Sequence, residues 1–168
     1  ITALLLVSAT AFLYAGNGTY FIGVSPKSKA MGGTGVAQTM STVDAAYKNP
    51  ALFSELPLQK GGTVGDVGLS VIKQSASAEN TGLGFKSSTS NLAYVPALSA
   101  AHKLCDNMVI GLSAYSYGGA KAGFTGEATL QEVKALSSMT DIGPSLSYKM
   151  FEMWSIGIFP HFVYADLA

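Results

Sequence analysis

The chain has 168 residues with ten Lys plus Arg and ten Asp plus Glu, so its formal net charge is zero. It contains no run of basic residues, which excludes the electrostatic footprint of a nucleic-acid-binding protein. Only 12% of its residues are charged, against about 25% in a typical soluble domain, and it has nineteen glycines and many aromatic residues. This composition favours strands that face lipid on one side and a lumen on the other.

Residues 1–15 form an apolar run that ends in the small-residue sequence Leu13-Tyr14-Ala15. The run is too short to cross a bilayer, so we expect a signal peptide whose basic start is missing. A buried core helix is the alternative. No later segment reaches the roughly 18 uninterrupted apolar residues that a transmembrane helix requires, which excludes a helical membrane protein.

Residues 16–58 match neither the signal peptide nor the alternating pattern that follows. We expect this small-residue segment to form a plug, or hatch, with short helices inside a membrane barrel. Pro50 lacks an N–H and restricts Asn49 to an extended conformation, while the Asn49 side chain can satisfy stray backbone groups. An ordinary Asn-Pro turn is the alternative interpretation.

From about residue 59 the pattern has period two and predicts about five strands in residues 59–168. The clearest alternation spans residues 140–150, and a second spans residues 154–165. Short connections at residues 106–107 and 151–153 alternate with long polar ones at 79–91 and 119–134, which is typical of outer-membrane barrels. Residues 127–138 are ambiguous between a helix and an extension of the next strand, and we favour the strand.

The fold class expected from these features is all-β, the N-terminal part of an antiparallel transmembrane β-barrel. Tyr148, Phe151 and Trp154 flank a short turn, where an aromatic girdle would lie. Each unpaired backbone group at the edge of a five-stranded sheet would cost several kcal/mol in lipid, so we expect further strands from additional sequence or other chains. A soluble secreted β-protein is the alternative.

Side chains that support catalysis or metal binding are not grouped in the sequence. Cys105 is the sole cysteine, and His102 and His161 lack acidic or cysteine companions at ligand spacing. No nucleophile elbow or carboxylate pair is evident. We therefore expect no enzyme activity, no cofactor and no metal.

Four segments resemble the outer-membrane fatty-acid and hydrocarbon transporters of the FadL/TodX type. They read SKAMGGTGVA, DAAYKNPALFSEL, LSAAHKLCDNMVIGLSAYSYGG and LSYKMFEMWSIGIFPHFVYADLA. The resemblance implies a barrel of 14 strands in the bacterial outer membrane. It also implies a hatch motif, here Asn49, Pro50 and Ala51, beside a kink in the third strand, for which Gly118 and Gly119 are the candidates.

The function that the resemblance implies is passive uptake of long-chain fatty acids or other hydrophobic small molecules through a plugged barrel with a side opening. Its partners would be those molecules and outer-membrane lipid. Tyr20, Phe21 and Ile22 give the mature N-terminus an apolar surface and are the candidate ligand contacts. The alternative is a plugged barrel of the same superfamily that serves as a surface-protein shuttle or adhesion platform. The family's remaining nine strands and its outer ligand loop lie beyond this chain, so the full ligand site is not carried over.

Overall fold

A computed structural model describes residues 20–80, 85–124 and 133–167. Residues 20–58, here called the N-terminal unit, contain short helices and pack on one face of an antiparallel sheet. The predicted signal peptide lies outside the described residues. None of the helices within the described ranges is long and apolar enough to cross a membrane.

The sheet has six strands in an almost purely sequential order, β1-β2-β3-β4-β5, and β6 also pairs with β4. The strands are β1 (Thr63–Asn80), β2 (Phe85–Cys105), β3 (Met108–Phe124), β4 (Val133–Phe151), β5 (Trp154–Ile158) and β6 (Phe162–Leu167). Because β5 and β6 keep one register along β4, they are two halves of a single fifth strand. The predicted antiparallel sheet is thus confirmed, and it forms a partial barrel wall.

The strands β1 to β4 extend into the ranges for which the sequence predicts long loops. They have 17 to 21 residues, whereas about 9–11 suffice to cross a membrane. The prediction of long loops at 79–91 and 119–134 is wrong for the described parts of those ranges, which continue the hairpins. In the β1–β2 hairpin the reason is that polar residues pair across the strands, as Ser75 does with Ser90, and a strand that is polar on both faces has no periodic signal. The strand favoured for residues 127–138 is present from residue 133 onward; residues 127–132 lie outside the described part.

The two faces of the sheet differ in the way that the alternation predicts. Over residues 141–148 of β4 the outward side chains are apolar and exposed, and the inward ones are small or polar and buried. Similar outward residues continue across the sheet: Val67, Leu69, Leu98, Leu112, Ile156 and Ile158. An exposed apolar face of this extent is the lipid-facing surface of a membrane barrel.

Aromatic residues lie at both ends of this apolar face, measured along the strands. Phe151 and Trp154 are paired beside the short turn and are 68% and 70% exposed, as a membrane-interface girdle requires. Phe162 and Tyr164 are similarly exposed at the opposite end of the band. The outward apolar residues of β4 and β5 lie between these two levels.

The N-terminal unit consists of α1 (Pro26–Ala30), α2 (Thr42–Lys48) and a 3₁₀ helix (Pro50–Glu55). Ser25 and Ser41 cap the two α-helices by accepting from backbone N–H groups one turn later. The unit packs through Val43 and Phe53 against small and apolar residues of the inward face of the sheet, such as Ala101. Its core is therefore shared with the sheet.

Asp44 is the centre of a hydrogen-bond network inside the unit. It is fully buried, and its carboxylate accepts from the Ser25 N–H at 3.2 Å, from the Ser25 hydroxyl, and from Ser41 Oγ at 2.8 Å. Burial lowers the pKa of Lys29, and the negative charge of Asp44 partly offsets that shift. Asp44 thus joins the two helix starts to each other and compensates a partly buried cation.

Polar contacts also join the unit to β1. Asp66 Oδ2 accepts from both the N–H and the Oγ1 of Thr42 at 2.7 Å. Lys29 Nζ donates to Ser70 Oγ at 2.6 Å and lies 5.4 Å from the centre of the Phe21 ring. The start of α2 and the end of α1 are therefore both fixed to the first strand.

The fifth strand is interrupted at residues 159–161 by two facing prolines. Leu146 pairs with Ile158 and Ile142 pairs with Phe162, a register that sets Pro144 opposite Pro160. Neither proline has an N–H, so the ladder cannot continue between them. The interrupted segment lies over Gly143, where a Cβ atom would approach the Pro160 carbonyl oxygen to 2.2 Å.

Candidate functional site

The strands β2 and β3 pair along only part of their length. Their ladder runs from Cys105 opposite Met108 up to Ala97 opposite Tyr115. Beyond Ala97 the described part of β2 pairs with β1, and beyond Tyr115 the described part of β3 pairs with β4. The wall therefore divides between β2 and β3 beyond the pair Ala97 and Tyr115.

A β-bulge in β3 lies directly beyond this division. The register with β4 shifts between Ser116 and Gly118, and Gly119 has φ 154°, which favours glycine. The structure thus places Gly118 and Gly119, the two candidates for a kink, at an irregularity of the strand.

The segment that reaches this bulge is the beginning of the N-terminal unit. Tyr20 forms an isolated antiparallel bridge with Gly118, and the Phe21 N–H donates to the Tyr117 carbonyl at 2.9 Å. From the other side of the division, Gln74 Nε2 of β1 donates to the Gly119 carbonyl at 3.0 Å. Residues 20–21 are therefore bound to the backbone of β3 through one isolated bridge and one further hydrogen bond.

The motif Asn49-Pro50-Ala51 lies elsewhere, on β4 and β5. Asn49 Oδ1 accepts from the Ala51 N–H at 3.2 Å and so caps the 3₁₀ helix, and Asn49 Nδ2 donates to the Val36 carbonyl at 3.0 Å. Ser147 Oγ of β4 donates to the Ala51 carbonyl at 2.8 Å. At Gly157 of β5 a Cβ atom would lie 2.1 Å from Ala51 N. The motif therefore holds the unit on β4 and β5, while Tyr20 and Phe21 are what meets the bulge.

An aromatic cavity of about 360 Å³ lies between the N-terminal unit, the bulge and the interrupted fifth strand. It is lined by Ala46, Tyr47, Pro50, Tyr115, Tyr117, Asp141, Phe159 and His161. The centroid of the Tyr47 ring is 5.7 Å from that of Tyr115 and 5.9 Å from that of Tyr117, and Phe159 stacks on Tyr115 at 6.1 Å. The exposed ring of Tyr20 stacks on Tyr117 at 6.0 Å. These rings give the cavity apolar walls with polar tips.

Asp141 and His161 are the carboxyl and imidazole side chains of this aromatic cavity. His161 Nε2 lies 3.6 Å from Asp141 Oδ2, and Tyr115 lies directly opposite Asp141 in the register of β3 and β4. His161 Nδ1 lies 3.1 Å from the Phe159 carbonyl, and because a carbonyl only accepts, Nδ1 is the donor. Asp141 Oδ1 is buried and has no hydrogen-bond partner among the described residues.

A family model described as outer membrane protein transport protein (OMPP1/FadL/TodX) matches residues 7–168. The chain belongs to this family. It is therefore a protein of the bacterial outer membrane, in a family that transports hydrophobic compounds. A search of curated proteins and a search of solved structures each found no match.

Sequence reasoning missed most of the cavity of this OMPP1/FadL/TodX family member. It named Tyr20, Phe21 and Ile22, and the structure places Tyr20 beside the cavity and leaves Ile22 74% exposed. The residues that it missed as site residues are Tyr47, Tyr115, Tyr117, Asp141, Phe159 and His161. A signal did exist for the last two, because the alternation in residues 154–165 sets them on the same face as Ser155 and Gly157.

The sequence also gave no acidic companion for His161, and the register of the fifth strand supplies one. Asp141 lies opposite Val163, one pleat from His161 on the same face. Across residues 20–80, 85–124 and 133–167 no group of three or more His, Cys, Asp and Glu side chains is arranged to hold a metal ion.

Proposed function

We propose that the protein takes up long-chain fatty acids or similar hydrophobic molecules passively, with residues 20–58 as the hatch and a lateral opening between β2 and β3. The observation that carries this proposal is the end of the β2–β3 ladder at Ala97 and Tyr115. Beyond that pair, two residues at the start of the N-terminal unit lie along the free side of β3.

The level of the division supports an exit into lipid. Tyr115 lies opposite Asp141, which lies opposite Val163, between the exposed rings of Phe162 and Tyr164. From Tyr148 near the short turn to Asp141 the strand rises roughly 24 Å at about 3.4 Å per residue, before any tilt. The division is thus near one edge of the apolar band. A hydrophobic molecule that leaves there enters the membrane without crossing water.

The contact that closes the division is small. It consists of the Tyr20–Gly118 bridge, the hydrogen bond from Phe21 to Tyr117, the stacking of Tyr20 on Tyr117 and the hydrogen bond from Gln74 Nε2 to the Gly119 carbonyl. A ligand that occupies the aromatic cavity and prefers displaced Tyr20 over bound Tyr20 shifts this equilibrium by that difference in affinity. Opening therefore needs only a local rearrangement of residues 20–21 and of the Gln74 side chain, with the 3₁₀ helix still held on β4 and β5.

Substitution of both Gly118 and Gly119 by valine is the test of this gate. The added side chains fill the bulge and strain Gly119, whose φ is 154°, so the irregular backbone next to the division is lost. We expect uptake of a fluorescent long-chain fatty acid by whole cells to fall at least tenfold. Heat-modifiable migration on a gel should be unchanged, because it reports assembly of the barrel.

Ala114→Val is the matched control, since Ala114 lies on the same strand below the bulge and within its regular pairing with β4. We expect normal uptake from this variant. Normal uptake from the assembled Gly118→Val, Gly119→Val protein would contradict the role of the bulge as a gate.

A further inference from the structure

We propose that Lys29 binds the head group of an amphipathic acid, a hydrophobic chain that ends in an ionised carboxylate, on the inward side of the division between β2 and β3. In this arrangement the hydrocarbon tail lies toward the aromatic cavity. The inference rests on the proposed function, because it assigns the residue that holds the charged end of a fatty acid beside the gate.

The first argument is the unused hydrogen-bonding capacity of Lys29. An ammonium group has three N–H donors, and Lys29 Nζ donates one of them to Ser70 Oγ at 2.6 Å. Its other contact is with the ring of Phe21, whose centre is 5.4 Å away. Among residues 20–80, 85–124 and 133–167, no carboxylate lies within ion-pair distance of Lys29. Two N–H groups of this cation therefore have no acceptor within the described ranges.

The second argument is that Lys29 is less well compensated than two other lysines of this region. Lys48 Nζ donates to one hydroxyl and two carbonyls of the N-terminal unit, and Lys149 forms an ion pair with Glu55 at 3.3 Å. Burial lowers the pKa of Lys29, and the negative charge of Asp44 offsets that shift only in part. Both carboxylate oxygens of Asp44 already accept other hydrogen bonds. An anionic ligand would supply the charge that Lys29 lacks.

The third argument is the position of Lys29 at the division. Its hydrogen-bond partner Ser70 lies on β1, in the register two residues beyond Ala97, where the ladder between β2 and β3 ends. Its aromatic partner Phe21 donates its N–H to the Tyr117 carbonyl of β3. One contact of the ammonium group is thus with each side of the division. A head group bound to Lys29 therefore lies beside the gate.

The tail of such a ligand has an apolar surface within reach. Tyr117 lines the aromatic cavity, and only the Phe21 residue lies between its carbonyl and Lys29. Farther along the same strands, Gln74 of β1 donates to the Gly119 carbonyl of β3 at 3.0 Å, so β1 and β3 lie close together here. A long alkyl chain whose carboxylate meets Lys29 can therefore pack against Tyr117 and the rings around it.

Dodecanoate and 1-dodecanol test the head group, because they share an alkyl chain and differ in charge. We would titrate each into the purified full chain in a neutral detergent at neutral pH by calorimetry. In Lys29→Met we expect the affinity for dodecanoate to fall at least tenfold and that for 1-dodecanol to change less than twofold. Lys29→Arg keeps the positive charge and should bind dodecanoate within about threefold of the unmodified protein.

Lys27→Met is the matched control, since Lys27 is an exposed lysine of the same helix, and it should change dodecanoate affinity less than twofold. Lys29→Gln keeps a donor for Ser70 and is the second variant in case the methionine variant does not assemble; we expect at least a fivefold loss of dodecanoate affinity.

Three results would overturn this inference alone: unchanged dodecanoate affinity in the assembled Lys29 variants, an equal loss for both ligands, or an equal loss in Lys27→Met. Failure of both ligands to bind the unmodified protein would overturn the proposed uptake function as well.

Discussion

Replacing Gly157 with alanine is expected to detach the 3₁₀ helix of the N-terminal unit from the sheet. A Cβ atom there would lie 2.1 Å from Ala51 N and 2.3 Å from the Pro50 carbonyl carbon, which are backbone atoms that cannot rotate away. Overpacking of this kind costs about 2 kcal/mol, or roughly 30-fold in the ratio of docked to undocked unit. The hydrogen bond between Ser147 and the Ala51 carbonyl would be lost with the contact.

The measurement is the rate of limited trypsin cleavage after Lys48, which lies at the end of α2 directly before this helix. Detachment should raise the rate at least tenfold. Gly68→Ala is the matched control, because Gly68 also lies under the unit but its Cβ would meet Pro26 Cδ at an ordinary 3.6 Å. Equal cleavage rates in the two variants would show that the close packing at Gly157 does not hold the unit.

Replacing Asp44 with alanine is expected to unfold α1 and α2 together. The substitution removes the acceptor of the Ser25 N–H and of two serine hydroxyls, all of which are buried. It also removes the charge that partly compensates Lys29. The loss of hydrogen bonds to a charged group amounts to roughly 3 kcal/mol, or about 150-fold in the stability of the unit.

Hydrogen exchange of the amides in residues 26–30 and 42–48 checks this result, with β4 amides as the internal reference. Asp44→Asn keeps one carbonyl acceptor and should show a smaller increase in exchange. Unchanged protection in Asp44→Ala would mean that contacts with the sheet, and not this network, hold the two helices.

The sheet was predictable where one face is apolar. Residues 140–150 alternate because β4 separates lipid from the packed interior, so Ile142, Leu146 and Tyr148 identify the strand and its outward face. The short turn at residues 106–107 was predictable because a two-residue connection between two strands forms a tight hairpin turn. The far ends of β1 and β2 were not predictable, because residues that are polar on both faces of a strand carry no period.

The site was less predictable than the sheet, because it depends on register and on which segments meet. Asp141 and His161 are 20 residues apart in sequence, and a register slip of one residue would place one of them on the lipid face. Likewise, the sequence identified Asn49-Pro50-Ala51 and Gly118-Gly119 as special but not their neighbours. The structure places the first beside Gly157 and the second beside Tyr20.

The hydrogen bonds that hold the 3₁₀ helix on the wall join residues far apart in the chain. Ser54 and Ala51 bond to Ser147 and Ser155, which follow them by 93 to 101 residues. Such contacts carry a large loop-closure entropy and form slowly, and here they require β4 and β5 to be paired already. The residues that leave the ribosome early therefore reach their native contacts late. During this interval the small inward residues of the hairpins have no partner, so assembly passes through a state with an uncovered inner face.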